Sequence, residues 1–225
     1  RRTSSSSNIA TNAATIKTGG KVFNASYVSG IWTGAVNAWT LDAYNNPSAL
    51  AWTASIPAFS TRKTKVFTYN GTTGAAFPTA AQTTSLDRSG VGPVDYPVTG
   101  AKNADYIMGD QSGEGTAVGK LRVRDALLGD IVDSSPAYVD DTKTLYVGAN
   151  DGMLHAFDAG TGVEQFAYVP NLINFGKLAQ ISRGDYDHQW SVDGPVAVTS
   201  RKLTPSQNLL VGSLGRGGKG MYGLD

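Results

Sequence analysis

The clearest alternation of polar and apolar side chains in this chain runs over residues 144–170, TLYVGANDGMLHAFDAGTGVEQFAYVP. β-Branched and aromatic residues alternate here with polar ones, a pattern typical of half-buried strands. The pattern predicts three short strands, at residues 144–148, 153–157 and 163–169. Asn150-Asp151-Gly152 supplies the residues that a tight hairpin needs between the first two strands. Strands joined by tight turns in this way form the unit of a β-propeller blade.

Parts of this unit recur along the chain, as a propeller requires. The segment LHAFD, which ends at Asp158, corresponds to MYGLD, which ends at Asp225. VDSSP at residues 132–136 corresponds in the same way to VDGP at residues 192–195. Each pair is separated by roughly sixty residues, a spacing typical of one repeated unit. Residues 34–39 match residues 152–157 more loosely. These two segments are separated by about twice the length of one repeated unit, which predicts a further blade hidden between them.

These repeats predict an all-β chain that forms an incomplete β-propeller of quinoprotein-like, four-stranded antiparallel blades. Residues 19–225 would hold about three to four blades, with a loop-rich insertion near residues 75–119. Residues 1–18, rich in Ser, Thr and Asn, are predicted to be a lead-in that cannot bury enough apolar surface to order itself alone. Because Asp225 corresponds to Asp158 in the middle of a blade, we expect the chain to be a piece of a longer protein.

Composition and charge exclude several classes of protein. The net charge is +1 with Lys and Arg scattered along the chain, which argues against a nucleic-acid surface. Arg122 and Arg124, in LRVRD, are interpreted as a solvated or ion-paired strand face. No run approaches the ~18 apolar residues of a membrane span, so no transmembrane segment is predicted. The absence of cysteine excludes disulfides and thiolate metal sites.

No catalytic, cofactor-binding or metal-binding residue is predicted. Residues 215–220, GRGGKG, have dinucleotide-motif spacing, but a predicted strand follows where that motif requires a helix, so a glycine hairpin is favoured. A calcium loop starting at Asp185 would place Trp190 and Val196 at positions that need Gly and a carboxylate. The two histidines, His155 and His188, lack zinc-site spacing, and His155 is predicted to pack inside a blade.

One tripeptide is a candidate binding motif. Arg183-Gly184-Asp185 is the sequence that adhesion receptors of the integrin class recognise on exposed loops. It predicts a cell-binding site on this chain.

Several longer strings carry a family resemblance. The strings are GDIVDSSP at 129–136, GANDGMLHAFD at 148–158, His188 with VDGP at 192–195, and GSLGRGG at 212–218. In this order they resemble the C-terminal propeller of the PilY family of type IV pilus proteins. Residues 121–225 carry the resemblance, and residues 1–120 match only loosely.

The resemblance implies a non-enzymatic, secreted bacterial protein that passes through the periplasm to the pilus tip or outer membrane. It would prime pilus assembly, counter retraction during twitching, and attach cells to host or abiotic surfaces. Its partners would be pilins and minor pilins of the tip complex. The calcium loop of the family lies further on than this chain runs, so calcium is expected in the parent protein and no cofactor is expected in this chain.

Two alternatives stay open. Asp158-Ala159-Gly160-Thr161-Gly162 through Phe166 also resembles the repeat of pyrroloquinoline-quinone dehydrogenases, although those enzymes carry Trp at the place of Phe166 and many have a cysteine pair. The other alternative is a periplasmic scaffold propeller for outer-membrane assembly. Quinone absorbance would favour the first, and protein confined to the periplasm would favour the second.

Overall fold

The computed structural model describes residues 4–11 and 20–225. The strands are β1 (Ser4–Thr11), β2 (Lys21–Val28), β3 (Thr33–Leu41), β4 (Pro47–Thr53), β5 (Val66–Tyr69), β6 (Gly74–Ala76), β7 (Ala137–Val139), β8 (Thr144–Gly148), β9 (Leu154–Asp158), β10 (Glu164–Val169), β11 (Val196–Val198), β12 (Leu210–Ser213) and β13 (Met221–Leu224). The helices are α1 (Phe59–Arg62), α2 (Ala80–Leu86), α3 (Gly100–Ile107) and α4 (Phe175–Leu178), and 3-10 turns cover Pro93–Asp95, Ala179–Ser182 and Gly215–Gly217.

The first sheet is a four-stranded antiparallel meander in the order β1-β2-β3-β4, and we refer to it as the first blade. Strand β1 lies within the segment predicted to be a lead-in that cannot order itself alone, and residues 4–11 are ordered by pairing with β2. An edge strand is held by backbone hydrogen bonds to its neighbour, and β2 offers these whatever the side chains of β1 are. The rest of the predicted lead-in lies outside the described residues.

The second sheet contains the central blade, β7 to β10, as an antiparallel meander. The strands predicted at residues 144–148, 153–157 and 163–169 are confirmed to within one residue at each end. Its outer edge is extended by β5, which runs parallel to β10, and by β6, which pairs with β5. The described part of the third sheet, which we refer to as the third blade, has the order β11-β12-β13.

The two copies of the VD(S)xP repeat occupy equivalent places in successive blades. VDSSP leads directly into β7 and VDGP leads directly into β11. Each of these strands pairs antiparallel with the following strand, and that strand pairs with the next one. The fold is therefore that of successive β-propeller blades, as the repeats predicted.

The first blade packs directly against the central blade, so the prediction of a further blade between them is wrong. One buried cluster joins Phe23 and Val36 of the first blade to Leu145 and Phe157 of the central blade. Two isolated β-bridges, Thr33 to Gly129 and Ser55 to Val163, connect the same two sheets. The approach is so close that a Cβ atom on Gly34 would lie 2.1 Å from the carbonyl oxygen of Gly129.

The residues between these two blades form a packed insertion. The sequence pattern indicated a loop-rich segment near 75–119, but α2 and α3 lie in it. Helix α2 begins with a capping box between Thr79 and Gln82, which satisfies backbone donors that a helix start leaves unpaired. Leu86 and Tyr106 of this insertion are buried in one cluster with Val169 of β10. The long spacing between the repeats is taken up by this insertion instead of by a blade.

The segment between the central and third blades contains α4 and the following 3-10 turn. Leu178 and Ile181 of this segment are buried in the cluster that also holds Leu154 of the central blade and Leu210 of the third blade. The segment therefore fills the space between the two sheets.

Candidate interaction face

Alternate connections of an antiparallel meander lie at the same end of the sheet, because the chain reverses at each connection. The turns β2–β3, β8–β9 and β12–β13 therefore share one end of the three sheets with the segments that lead into β7 and β11. We name these five stretches the turn face; they cover residues 29–32, 149–153, 214–220, 127–136 and 186–195. The backbone nitrogen of Asn150 donates to the carbonyl of Asp130, and that of Asp193 donates to the carbonyl of Leu214, at 2.9 and 3.2 Å.

An aromatic cluster from four parts of the chain lies on the turn face. The ring of Trp32, in the β2–β3 turn, contacts the tilted ring of His188 with centroids 4.0 Å apart. His188 meets Trp190 nearly edge-on, with centroids 4.5 Å apart. The guanidinium of Arg216, in the β12–β13 loop, lies 4.8 Å from the Trp190 ring centroid, and its Nε lies 3.2 Å from Oδ2 of Asp133. We refer to these five residues as the aromatic cluster.

The two tryptophans of this cluster are half-buried, whereas the side chain of His188 between them is only 8% exposed. Partly exposed tryptophan next to arginine is the composition that protein interfaces favour at their centre. Trp32 also has a positive φ of 55°, a conformation that is uncommon for a residue with a bulky side chain and that occurs at binding sites.

Hydrogen bonds beneath the cluster hold it in place. Nε2 of His188 lies 2.8 Å from Oδ2 of Asp130, which is buried. Nδ2 of Asn150 donates to the same oxygen at 2.8 Å. The backbone nitrogen of Ser191 donates in turn to Oδ1 of Asn150 at 2.9 Å. These bonds connect the segments on both sides of the central blade through one buried asparagine.

The two aspartates of the repeat contact each other across the blades. The backbone nitrogen of Asp133 donates to Oδ1 of Asp193 at 3.2 Å. Oδ2 of Asp193 is buried and has no hydrogen-bond partner among the described residues. Burial raises the pKa of Asp193, and the nearby carboxylates of Asp133 and Asp130 raise it further. Successive copies of the motif therefore meet at the place where successive blades meet.

Four charged side chains form a buried network behind the turn face, and we refer to them as the buried quartet. Arg62 of α1 donates from Nε and Nη2 to both carboxylate oxygens of Glu164 at 2.6 and 2.9 Å. Nδ1 of His155 lies 2.7 Å from Oε1 of Glu164, and its Nε2 lies 3.0 Å from Oδ2 of Asp151. The same Asp151 oxygen accepts the backbone nitrogen of Gly129 at 2.9 Å. The quartet thus connects the insertion, the central blade and the turn face.

The pKa shifts of His155, Glu164 and Asp151 all favour the charged forms of these side chains. Burial alone would lower the pKa of His155, but the carboxylates of Asp151 and Glu164 outweigh it and raise this pKa to about 9. Burial would raise the pKa of Glu164, but His155 and Arg62 lower it to about 2. Burial likewise opposes ionisation of Asp151, and the charge of His155 lowers the pKa of this carboxyl. Two cations and two anions therefore compensate each other in the protein interior.

The quartet predicts how stability depends on pH. The raised pKa of His155 stabilises the fold fully below pH 6.5, and this contribution is lost as the pH rises through about 9. The lowered pKa of Glu164 stabilises the fold above pH 4.5, and this contribution is lost as the pH falls through about 2. We expect the free energy of unfolding in urea to fall by roughly 2–3 kcal/mol between pH 6 and pH 9.

The variant His188→Gln is the matched control for this pH series, because His188 is the other histidine of the chain. The fall between pH 6 and pH 9 should persist in this variant. A free energy of unfolding that stays constant over that range in the unmodified chain would contradict ionised pairing of His155.

The tripeptide Arg183-Gly184-Asp185 lies at the surface with its two charges paired with each other. Nε and Nη2 of Arg183 donate to the two carboxylate oxygens of Asp185, each at 2.8 Å. Arg183 also lies 3.7 Å from Oδ1 of Asp95 and 5.5 Å from the ring centroid of Tyr96. A receptor that reads the two charges separately would have to open this pair. Cell binding through the tripeptide stays a prediction.

The structure separates the other candidate residues. Residues 215–220 connect β12 to β13, which confirms the glycine hairpin. Asp185 pairs with Arg183, whereas Asp193 is buried beneath the turn face, so the two do not converge on one site. Within the described residues, no three His, Cys, Asp or Glu side chains are arranged to hold a metal ion. No helix of the described chain has the length and apolar character needed to cross a membrane.

The two arginines of LRVRD have different partners. Nε of Arg124 lies 2.7 Å from Oε1 of Glu114, with both side chains largely buried. Arg122 instead stacks on Tyr186, with its guanidinium 4.6 Å from the ring centroid. Neither residue lies in one of the strands, so the ion pairing is confirmed for Arg124 and the strand assignment is wrong.

Sequence reasoning found the packing of His155 inside a blade but missed the charges around it. His155 is fully buried, as predicted. Asp151 is four residues before it and Glu164 lies in the neighbouring strand, so this part of the network was readable from the predicted hairpins. The contact of Arg62 with Glu164 was not readable from the sequence, because no local pattern indicates which distant cation pairs with a buried carboxylate.

Comparison with known proteins agrees with the predicted resemblance. A family model described as the PilY1 beta-propeller domain matches residues 108–225. A Type IV pilus biogenesis factor PilY1 homolog of Xylella fastidiosa is 33% identical over 96% of this chain and 19% of its own length. The Type IV pilus biogenesis factor PilY1 of Pseudomonas aeruginosa strain UCBPP-PA14 is 33% identical over 73% of this chain and 16% of its own length. No solved structure matches the chain.

The match to the family model begins in the insertion and covers the central and third blades with the loops of the turn face between them. The chain spans about a fifth or less of the length of these curated relatives. It belongs to the PilY1 family, and its residues 108–225 match the β-propeller domain of that family.

Proposed function

We propose that this chain is a non-enzymatic docking unit in type IV pilus assembly, acting at the pilus tip or the outer membrane after passage through the periplasm. Its partners would be pilins or minor pilins of the tip complex. Membership in the PilY1 family supports the connection to pili, since the curated relatives are named as pilus biogenesis factors. The same location would allow contact with host cells or abiotic surfaces, and so a role in adhesion.

The observation that carries the docking role is the aromatic cluster on the turn face. Trp32 and Trp190 offer partly exposed aromatic surface from separate parts of the chain, and Arg216 adds a side chain that is 61% exposed. Residues of these types provide most of the binding energy at protein interfaces. Nε2 of His188 is occupied by Asp130, and Nε of Arg216 by Asp133. The turn face thus offers contact area on which these polar side chains already have aspartate partners.

The charge reversal Arg216→Glu in the full-length protein of the native bacterium tests this role. We expect the yield of sheared pili to fall about tenfold or more, because the new carboxylate faces Asp133 and abolishes the cation over Trp190. Cellular levels of the protein should not change, since Arg216 lies on an exposed loop.

Lys202→Glu is the matched control, because it reverses the same charge on an exposed β11–β12 loop of the third blade, at the opposite end from the turn face. It should leave the pilus yield close to normal. The full-length protein should also be present on sheared filaments. Normal piliation in Arg216→Glu would contradict the docking role, and protein confined to the periplasm would contradict the location and favour a periplasmic scaffold.

A further inference from the structure

A cleft of about 530 Å³ lies on the insertion, where its Arg122 borders the turn face at Tyr186. Its apolar wall contains Val94, Val118 and Val123, and Tyr96, Arg122 and Gly184 also line it. We refer to these six residues as the valine cleft. Chain segments that are distant in the sequence therefore build one concave surface.

The valines of this cleft are unusually exposed. Val94, Val118 and Val123 have 73%, 75% and 53% of their surface accessible. Single exposed apolar side chains are normal, but several that share one concave site are typical of a binding surface. Burying them against a partner would remove their apolar surface from water, which favours association.

The wall that carries Tyr96 is held in one position by packing. Tyr96 has a left-handed conformation, with φ of 57°. Its ring lies so close to Gly184 that a Cβ atom there would be 2.5 Å from the ring. The guanidinium of Arg183 packs against the same ring. A cleft whose wall is fixed in this way loses little conformational entropy when it binds a partner.

The charged side chain among the described residues that line this cleft is a cation, Arg122. Arg122 is bonded to carbonyl oxygens, with Nε 3.0 Å from that of Ile181, and it forms no salt bridge with any residue that the structure describes. An acidic group in the cleft would therefore meet a guanidinium that no carboxylate already pairs.

We propose that the valine cleft binds an extended peptide segment of a partner protein in which a carboxylate side chain is flanked by branched apolar residues. The valines match the apolar side chains, and Arg122 matches the carboxylate. An open cleft of this size accommodates about three side chains of that kind, as a short linear motif would supply. The proposal does not depend on the role in pilus assembly, because the cleft shares no residue with the turn face.

Fluorescence polarisation with labelled hexapeptide pools tests the proposal directly. The probe pool is Gly-Φ-Φ-Glu-Φ-Gly, where Φ is an equal mixture of Val, Leu and Ile. One comparison pool carries Gln in place of Glu, and another carries Ser in place of Φ. We expect saturable binding of the probe pool to the whole chain, about tenfold weaker binding of the Gln pool, and weaker binding still of the Ser pool.

Val118→Asp should weaken binding of the probe pool at least about tenfold, because it places a carboxylate in the apolar wall. Leu203→Asp is the matched control, since Leu203 is 77% exposed and lies near the third blade. It should leave binding unchanged, and circular dichroism should show both variants folded. Absence of saturable binding, equal weakening by both variants, or equal affinity for the Glu and Gln pools would overturn the proposal. Self-association of the chain that Val118→Asp abolishes would also overturn it, by identifying a second copy as the occupant.

Discussion

Replacing Glu164 with alanine should lower the free energy of unfolding by about 3–5 kcal/mol, because it removes one member of a buried ion pair and leaves the other charge uncompensated. Arg62 loses both of its charge-assisted hydrogen bonds, and His155 loses the acceptor at Nδ1. The side chains of Arg62 and Glu164 are each only 1% exposed, so water cannot replace the lost partner. Urea unfolding at pH 6 measures the change.

Two variants make this result specific to the buried charges. Asp140→Ala removes an ion pair with Lys143 whose side chains are 74% and 65% exposed, and it should cost less than about 1 kcal/mol. Combining Arg62→Met with Glu164→Gln should recover part of the loss, because no cation of this pair is then buried without its partner. A cost of Glu164→Ala as small as that of Asp140→Ala would contradict the buried quartet.

The quartet matters for function because of what it joins. Arg62 belongs to the insertion, His155 and Glu164 to neighbouring strands of the central blade, and Asp151 to the β8–β9 turn. Asp151 also holds the backbone of Gly129, which lies in the segment leading into β7. Loss of this network is therefore expected to disturb the turn face as well as the stability of the chain.

The central blade was predictable because its signals are local. Alternation over residues 144–148 and the turn residues that follow specify a hairpin without reference to the rest of the chain. The repeat of Asp133 at Asp193 likewise predicted two equivalent strand starts, and the two residues contact each other. Local pattern and repetition were sufficient for this part of the fold.

The number of blades was not predictable from repeat spacing. The spacing gives the number of residues between two copies of a repeat but does not indicate how those intervening residues fold. Here the intervening residues form an insertion. The pairing of β5 with β10 joins Phe67 to Tyr168, and no local pattern specifies a partner so distant in the chain. Helix α2 did have a readable signal in Thr79 and Gln82, the two residues of its capping box, but seven residues are too few for helical periodicity to show.

The turn face was predictable only in part. Loops vary in length and carry binding residues more often than the strands they connect. The contact of Trp32 with His188 depends on the packing of the first blade against the central blade, and the predicted intervening blade would have kept these residues apart. The wrong prediction of blade order therefore separated the residues of the aromatic cluster, so the sequence alone did not indicate that they form one site.

Direct packing of the first blade against the central blade is tested most sharply by a disulfide between them. Ser55 and Val163 are β-bridge partners, and the backbone nitrogens of Ser55 and Glu164 donate to the carbonyls of Gly162 and Ser55, each at 2.9 Å. Bridge partners lie within the Cα separation of about 4.4–6.8 Å that a disulfide requires. The chain has no cysteine, so Ser55→Cys with Val163→Cys introduces a single pair of thiols.

Mild oxidation should cross-link this pair nearly completely, and the disulfide should raise the free energy of unfolding by about 2–4 kcal/mol, because it closes a long loop in the unfolded chain. The pair Ser55→Cys with Val211→Cys, which joins the first blade to an exposed site on the third, should stay reduced under the same conditions. The account would be contradicted if the chain that carries both Ser55→Cys and Val163→Cys stays monomeric and reduced. That result would show that the two blades are not neighbours.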